Sequence, residues 1–528
     1  RMHGLRGQKL PLPATSSMQS GNEAPVDAEV GALGMPMEPM PANQGVASDR
    51  GQCVTQLSVQ LEHEFSKPLL TEAEAARIED VKTTVGCVCK ECVFMNFFEA
   101  PDVGQLLTIG SHNLGVATAG SGLDLTFVVP LCCQLTEFST IFHDALQNHP
   151  QVSNLTTVVP GLVLNAIGWR FTMNEVCVNV LLGHRIPGLP RPGPDAIVQG
   201  TAAILAVEID ENLQSVIPDL MQFRLLLRFV RTWAKQRGIY GNSFGFLGGT
   251  AWAVLCAFVC QMYPEMLFPQ LVGRFFHTFH TWNWKQPVIL RGCHYDDVVP
   301  GGSAVGTSSG KMRVMLPVGA GLLAQTHISE ATANLTLREL RRGHIMAQQV
   351  ESRRTTWANV YASSQFFEMH RHYIQLVFLA KSQQAFSKWH SFCVENMHHF
   401  VPSFETGQTI VALRPWPEIF EFKHTDWPHA HATFFGLHLH ARANAKGTPQ
   451  LEERGSEGSN DCAPNKKAFD LRVPIVNFLK VIRTWHDTDK FTNSYDLVIR
   501  HMRLSELREW RRSWRQGLPL DCRAPNQE

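Results

Sequence analysis

The chain has no charge of one sign to spare: its 528 residues hold 47 Lys and Arg against 47 Asp and Glu. That balance excludes a histone-like basic coat for nucleic acid, though not a local basic face. It also lacks a long hydrophobic run. The longest, residues 251–262, falls short of the roughly 20 residues a bilayer-spanning helix needs. Residues 1–6 lead into a stretch rich in Pro, Gly and Met with no apolar h-region, so no signal peptide is expected. The cysteines, 13 of them, are scattered and odd in number, which fits a reduced, intracellular chain. There is no internal repeat.

What is present is apolar: 44% of residues, with 18% charged, enough to bury large cores. At about 100–200 residues per domain the length allows about three domains. Residues 1–50 show little periodicity and read as a flexible tail. Leu57, Leu61 and Phe65 then fall at helical spacing. A second helix is predicted from Thr71 to Cys92, with Thr71 as N-cap and Glu74 three residues on. Leu106–Ile109 and Leu123–Val129 read as strands. Trp169–Thr172 and Val176–Leu182 form a predicted hairpin around Met173-Asn174-Glu175.

From Pro194 to His280 the pattern is mainly helical, most clearly over Phe223–Lys235 and Thr250–Met262. Residues 292–311 and 444–465 read as loops. Strands are predicted at His372–Leu379, Thr409–Leu413 and Ala432–His440, and an amphipathic helix at Val473–Trp485. Short strands alternating with helices suit an α+β module.

Gly110-Ser111 follows the strand that ends at Ile109. Such a turn can offer backbone N–H groups and a hydroxyl to a phosphate, a weak signal by itself. Here Gly115, Thr118 and Gly120 follow, then the strand opening Gly122-Leu123-Asp124. The whole segment Ile109–Asp124 resembles the signature of the nucleotidyltransferase superfamily. More narrowly it resembles the eukaryotic nuclear poly(A) polymerases. A second segment carries the likeness further: Trp233-Ala234-Lys235, then Ile239-Tyr240, then Gly245-Phe246-Leu247-Gly248-Gly249. Trp282, Trp284 and Pro287 continue it, as do Phe366-Phe367 with His372-Tyr373-Ile374, and Asp470-Leu471 with Phe478.

The resemblance implies an α+β multidomain fold. A nucleotidyltransferase catalytic palm with leading helices spans 51–185, a central helical domain 186–363, and an RNA-binding domain like an RNA-recognition motif 364–510. Residues 511–528 would be a basic tail. It implies transfer of AMP from ATP to RNA 3′ ends in mRNA polyadenylation, with Mg²⁺ or Mn²⁺. The RNA 3′ end is the implied partner, with mRNA 3′-processing factors beside it. A nuclear location, a monomer and no membrane association are also expected.

Two ions that clamp the attacking and leaving oxygens sit roughly 3.5–4 Å apart and need several carboxylates. The family supplies three aspartates, two of them as Asp-x-Asp on one strand, where i and i+2 share a face. Here the first position is Gly122, the second is Asp124 and the third is Asn179. Asp124 is thus the candidate catalytic and metal residue, with Gly122 and Asn179 as degenerate partners. Glu175 is no replacement: four strand residues at roughly 3.3 Å each put it about 13 Å from Asn179.

The implied nucleotide contacts are Ile109, Gly110, Ser111, Thr118, Arg231, Lys235, Tyr240, Gly249 and Thr250. Arg231 stands where the family has a lysine, and Thr250 where it has a small apolar residue. The family's Asn-Gly-x-Arg segment falls on Leu205-Ala206-Val207-Glu208, which removes an amide and reverses a charge. The impaired metal set makes adenylyl transfer weak or lost. The alternative function is a non-enzymatic RNA-binding scaffold of the same machinery.

Other patterns have plainer readings. Arg224, Arg228, Arg231 and Lys235 line one helix face, either solvated or, at Arg231 and Lys235, touching phosphate. Cys87, Cys89 and Cys92 have metal-like spacing without a second Cys/His pair, so small core residues are expected. His438-x-His440 is taken as structural. Arg508, Arg511, Arg512 and Arg515 with Trp510 and Trp514 offer charge and stacking to RNA, or a solvated helix end.

Overall fold

The computed structural model describes residues 49–98, 100, 102–157, 167–184, 202–293, 311–318, 323–324, 327–405, 411–439, 471–485 and 490–521. Most of the tail and of the loops expected at 292–311 and 444–465 lies outside them. The chain divides into two units, residues 1–51 and 52–528, and the fold resides in the second.

Helices α1 (Asp49–Ser66) and α2 (Glu72–Asn96) come first. Thr71 caps α2 in a full capping box: its hydroxyl accepts from the Glu74 N–H at 3.2 Å, and Glu74 accepts from the Thr71 N–H at 2.7 Å. Strand β1 (Gln105–Ile109), the single turn α3 (Gly110–Asn113), β2 (Leu123–Val128), α4 (Leu135–Asn148), β3 (Val152–Thr157), β4 (Ile167–Met173) and β5 (Val176–Gly183) follow. The sheet order is β1-β2-β5-β4-β3, with β2 and β5 parallel and the other pairs antiparallel. The expected hairpin is β4–β5, and its turn residues Asn174 and Glu175 both have positive φ. Glu175 pairs with Arg77 on α2, away from Asn179. One face of the sheet packs Leu125, Phe127 and Val180 against Val85, Cys89 and Cys92 of α2 and Phe138 and Phe142 of α4. Cys89 and Cys92 are core residues as expected, whereas Cys87, expected to join them, points outward and is exposed.

The helical middle comprises α5 (Ala202–Ser215), α6 (Leu220–Gln236), α7 (Gly249–Met262), α8 (Phe268–Thr281) and α9 (Glu330–Glu351). α5 lays Ala203 and Val207 on Ile109 and Leu181 of the first sheet. The short helices α10 (Trp357–Val360) and α11 (Phe366–Met369) lead to a second, wholly antiparallel sheet in the order β7-β8-β6-β9. Its strands are β6 (His372–Ala380), β7 (Val411–Glu421), β8 (His429–Leu439) and β9 (Tyr495–Arg503). Helices α12 (Gln383–Glu395), α13 (Phe400–Glu405), α14 (Arg472–Ile482) and α15 (Leu504–Arg515) complete the chain.

Two expectations are corrected here. The strand expected at Thr409–Leu413 runs on to Glu421, through Pro415 and Pro417. It lies at the sheet edge and its register slips between Trp416 and Phe420, the setting in which proline is tolerated. The basic tail expected from 511 is helical through Arg515, and Trp510 is buried against Phe434 and Phe422 instead of offering its face to RNA.

Candidate functional site

The parallel pairing of β2 with β5 sets Asp124 directly opposite Asn179. The Asn179 side-chain amide donates to an Asp124 carboxylate oxygen at 2.7 Å, and the Asn179 oxygen accepts from Arg170 Nε at 2.8 Å. A relay of cation, amide and carboxylate thus crosses three strands. A Cβ placed on Gly122 would lie 3.6 Å from the Asn179 amide nitrogen, so positions 122, 124 and 179 do converge. Burial pushes the Asp124 carboxyl above its usual range, with the Asn179 hydrogen bond and the charges of His112 and Arg170 opposing.

These side chains do not fit a pair of divalent ions. Asp124 already accepts from the Asn179 amide, where a bridged metal pair would require further anionic oxygens. Among the described residues, no two further His, Cys, Asp or Glu side chains join it at metal-ligand spacing. Arg170 adds a positive charge behind the amide.

The turn after β1 differs from the expected phosphate cradle. Gly110 has φ of +67°, and a Cβ there would meet an Asp124 carboxylate oxygen at 3.2 Å, so glycine is required on both counts. Its N–H is already taken: it donates to Asp210 on α5 at 2.6 Å, and Asn113 donates to the same oxygen at 3.1 Å. Asp210 is buried, and desolvation pushes its carboxyl up to about 6. Sequence reasoning missed it. Its partners lie about a hundred residues away, and no local pattern on its own helix marks it. Further along the loop, the Thr118 N–H and hydroxyl pair with the Ser121 hydroxyl at 2.9 and 3.0 Å, closing the turn into Gly122. The Ser111 carbonyl accepts from the Val116 N–H at 2.9 Å.

The arginine stripe of α6 is neither solvated nor wholly free for phosphate. Arg224 donates to the Leu114 carbonyl at 3.0 Å, Arg228 to Phe65 and Gly115 at 3.1 and 2.9 Å, and Arg231 to Val116 at 2.6 Å. Charged donors on buried carbonyls are worth about 1.5–3 kcal/mol each. The stripe therefore bolts α6 to the loop between α3 and β2. Lys235, at the end of α6, sits 5.4 Å from the Tyr240 ring centre, and partial burial with the charge of Arg231 lowers its pKa. A Cβ at Gly249 would come within 2.9 Å of the Tyr240 hydroxyl, so Gly249 gives that hydroxyl its room. Thr250 follows in the first turn of α7. The structure thus forms two groups, Lys235, Tyr240 and Gly249 in one, and Gly110, Gly122, Asp124 and Asn179 in the other. His112, inside the signature segment but not among the expected contacts, lies in electrostatic reach of both Asp124 and Arg231.

Residues 222–363 match the poly(A) polymerase central domain, and residues 365–444 match the poly(A) polymerase predicted RNA binding domain. These two stretches of the chain are thus similar to the corresponding domains of the poly(A) polymerases. A poly(A) polymerase of Dictyostelium discoideum is 24% identical over 425 residues, 77% of this chain and 49% of the relative. One of Schizosaccharomyces pombe is 26% identical over 336 residues, 60% of this chain and 58% of the relative. The nuclear poly(A) polymerase 1 of Arabidopsis thaliana is 26% identical over 417 residues, 76% and 54%. The chain thus spans about half to three-fifths of the length of these poly(A) polymerase family relatives. Among solved structures, the RNA terminal uridylyl transferase Cid1 has a TM-score of 0.43 at 9% identity, covering 59% of this chain and 98% of that one. The structure of mtPAP with UTP has a TM-score of 0.42 at 11% identity, covering 63% and 79%.

Proposed function

We propose that this poly(A) polymerase family chain engages RNA 3′ ends and ATP, and that its transfer of AMP is weak or lost. The observation that carries the reading is the Asn179 amide donating to Asp124 beside a glycine at 122. Divalent ions supply charge neutralisation for such a transfer, and Asp124 is the one carboxylate at the three convergent positions to hold them. ATP is assigned to Ile109, Gly110, Ser111 and Thr118 on one side. Arg231, Lys235, Tyr240, Gly249 and Thr250 form the other side, with Lys235 the cation least committed to the protein. RNA as partner is supported by the match at residues 365–444. The nuclear relative of Arabidopsis supports a nuclear location, and mRNA 3′-processing factors and a monomeric state are part of the same reading. No helix among the described residues is long and apolar enough to cross a membrane.

Primer extension with ATP and Mg²⁺ or Mn²⁺ tests this. The native chain is expected to give little or no tail. Gly122→Asp combined with Asn179→Asp should raise the rate on the order of a thousandfold, the scale of several kcal/mol of restored metal stabilisation. Vigorous tailing by the native chain that vanishes in Asp124→Ala would overturn the impairment.

A further inference from the structure

Helices α8 and α9 approach closely at Gly343, where an added Cβ would lie 2.3 Å from the Phe276 ring. That contact brings His344 of α9 against His277 and His280, one turn apart on α8. Each of the three offers a ring nitrogen, and these nitrogens lie within 4.8 Å of one another. All three residues are partly buried. Histidine pairs recur elsewhere in this chain, as at His327–His398 and His372–His501. Among the described residues this is the one place where three potential ligands converge.

We propose that His277, His280 and His344 bind a first-row divalent transition metal such as Zn²⁺, pinning α8 to α9 and leaving one coordination position to water. Two features carry it. First, three imidazoles and no carboxylate is a donor set suited to Zn²⁺, Cu²⁺ or Ni²⁺ and foreign to Mg²⁺ or Ca²⁺. Second, His280 is already oriented as a ligand. Its Nδ1 lies 3.1 Å from the Phe276 carbonyl and 2.9 Å from the His277 carbonyl. A carbonyl can only accept, so Nδ1 carries the proton and Nε2 keeps its lone pair.

One ring must turn for all three nitrogens to face a single ion. The His280 and His344 rings stack at 4.0 Å, and a metal must lie in the plane of each ring it binds. Zn–N bonds of about 2.0–2.1 Å in a tetrahedron set the nitrogens about 3.4 Å apart. His280 is fixed by its carbonyl bonds, so His344 turns about χ2, a broad and soft torsion. Arg274, beside His277, opposes a cation. Its charge is drawn to Glu351 on α9, and it lies 5.2 Å from the Tyr263 ring centre.

The test is Zn²⁺ titration by calorimetry on untagged, chelator-stripped chain, native against His280→Ala/His344→Ala. With 23 histidines in the chain, weak surface binding is expected, so the difference is what counts. The native chain should take up one equivalent more than the variant, at an affinity at least tenfold above the remainder, and melt several degrees higher with Zn²⁺. Mg²⁺ should produce neither effect. Equal uptake by the two proteins would overturn the site. If the variant folds poorly without metal, pulsed electron resonance of Cu²⁺ on the native chain decides instead. Three coupled imidazole nitrogens support the site, and fewer sink it.

Discussion

The first sheet leaves Asp124, Asn179 and Arg170 part-open on one face, whereas β6, in the interior of the second sheet, is buried from Tyr373 to Ala380. Along β6 the two-residue period divides cleanly. Ile374, Leu376 and Phe378 join the core shared with the helical middle; Tyr373, Val377 and Leu379 join one roofed by Leu507 and Trp510 of α15. One sheet thus leaves a polar strip part-open to solvent, and the other spends both faces on stability. An RNA-recognition-motif likeness would suggest an aromatic platform open to bases. Here that face is closed by α15, and the exposed cations are Arg508, Arg512 and Arg515 on the outer side of the roof.

The contrast can be broken by substitution, and the largest effect belongs to the roof. Trp510→Ala should cost about 3–5 kcal/mol, read from urea unfolding. A loss under about 1 kcal/mol would mean that α15 does not seal the sheet.

Next comes Asp210, under the first sheet. Its folded carboxyl keeps a proton up to about pH 6, whereas the unfolded chain loses it near about pH 3.9. Between those values the folded state binds more protons, so stability falls as pH rises across that window. Asp210→Asn retains an acceptor for the Gly110 N–H and should flatten that slope, adding about 1–3 kcal/mol at about pH 7.5. An unchanged slope would place the titration elsewhere.

The smallest effect is expected at the strip itself. Asn179→Ala should alter stability by less than about 1 kcal/mol, since the relay is part-open to water. It should also raise the Asp124 pKa, because the amide bond that lowers it is gone. Carboxyl NMR titration reads this directly.

The same contrast separates what was legible in the sequence from what was not. The capping box at Thr71, the hairpin at Asn174 and the core helices announce themselves through local chemistry and strong periodicity. The edge strands β3 and β9 went unread because both alternate weakly, with part-exposed faces. The convergence of positions 122, 124 and 179 was readable from motif spacing. What filled it was not: the Arg170 relay, the Asp210 cap on Gly110 and the carbonyl-bound arginines depend on partners 9 to about 160 residues away. Trp510 and Trp514 misled because tryptophan beside arginine looks the same in sequence whether it faces base or core.

The guanidinium bolts of α6 have a mechanical consequence. Arg224, Arg228 and Arg231 grip three successive carbonyls, Leu114 to Val116, so the strip bearing Ser111 and Thr118 must travel with that helix as one piece. A ligand that shifts the helix therefore drags that loop along with it.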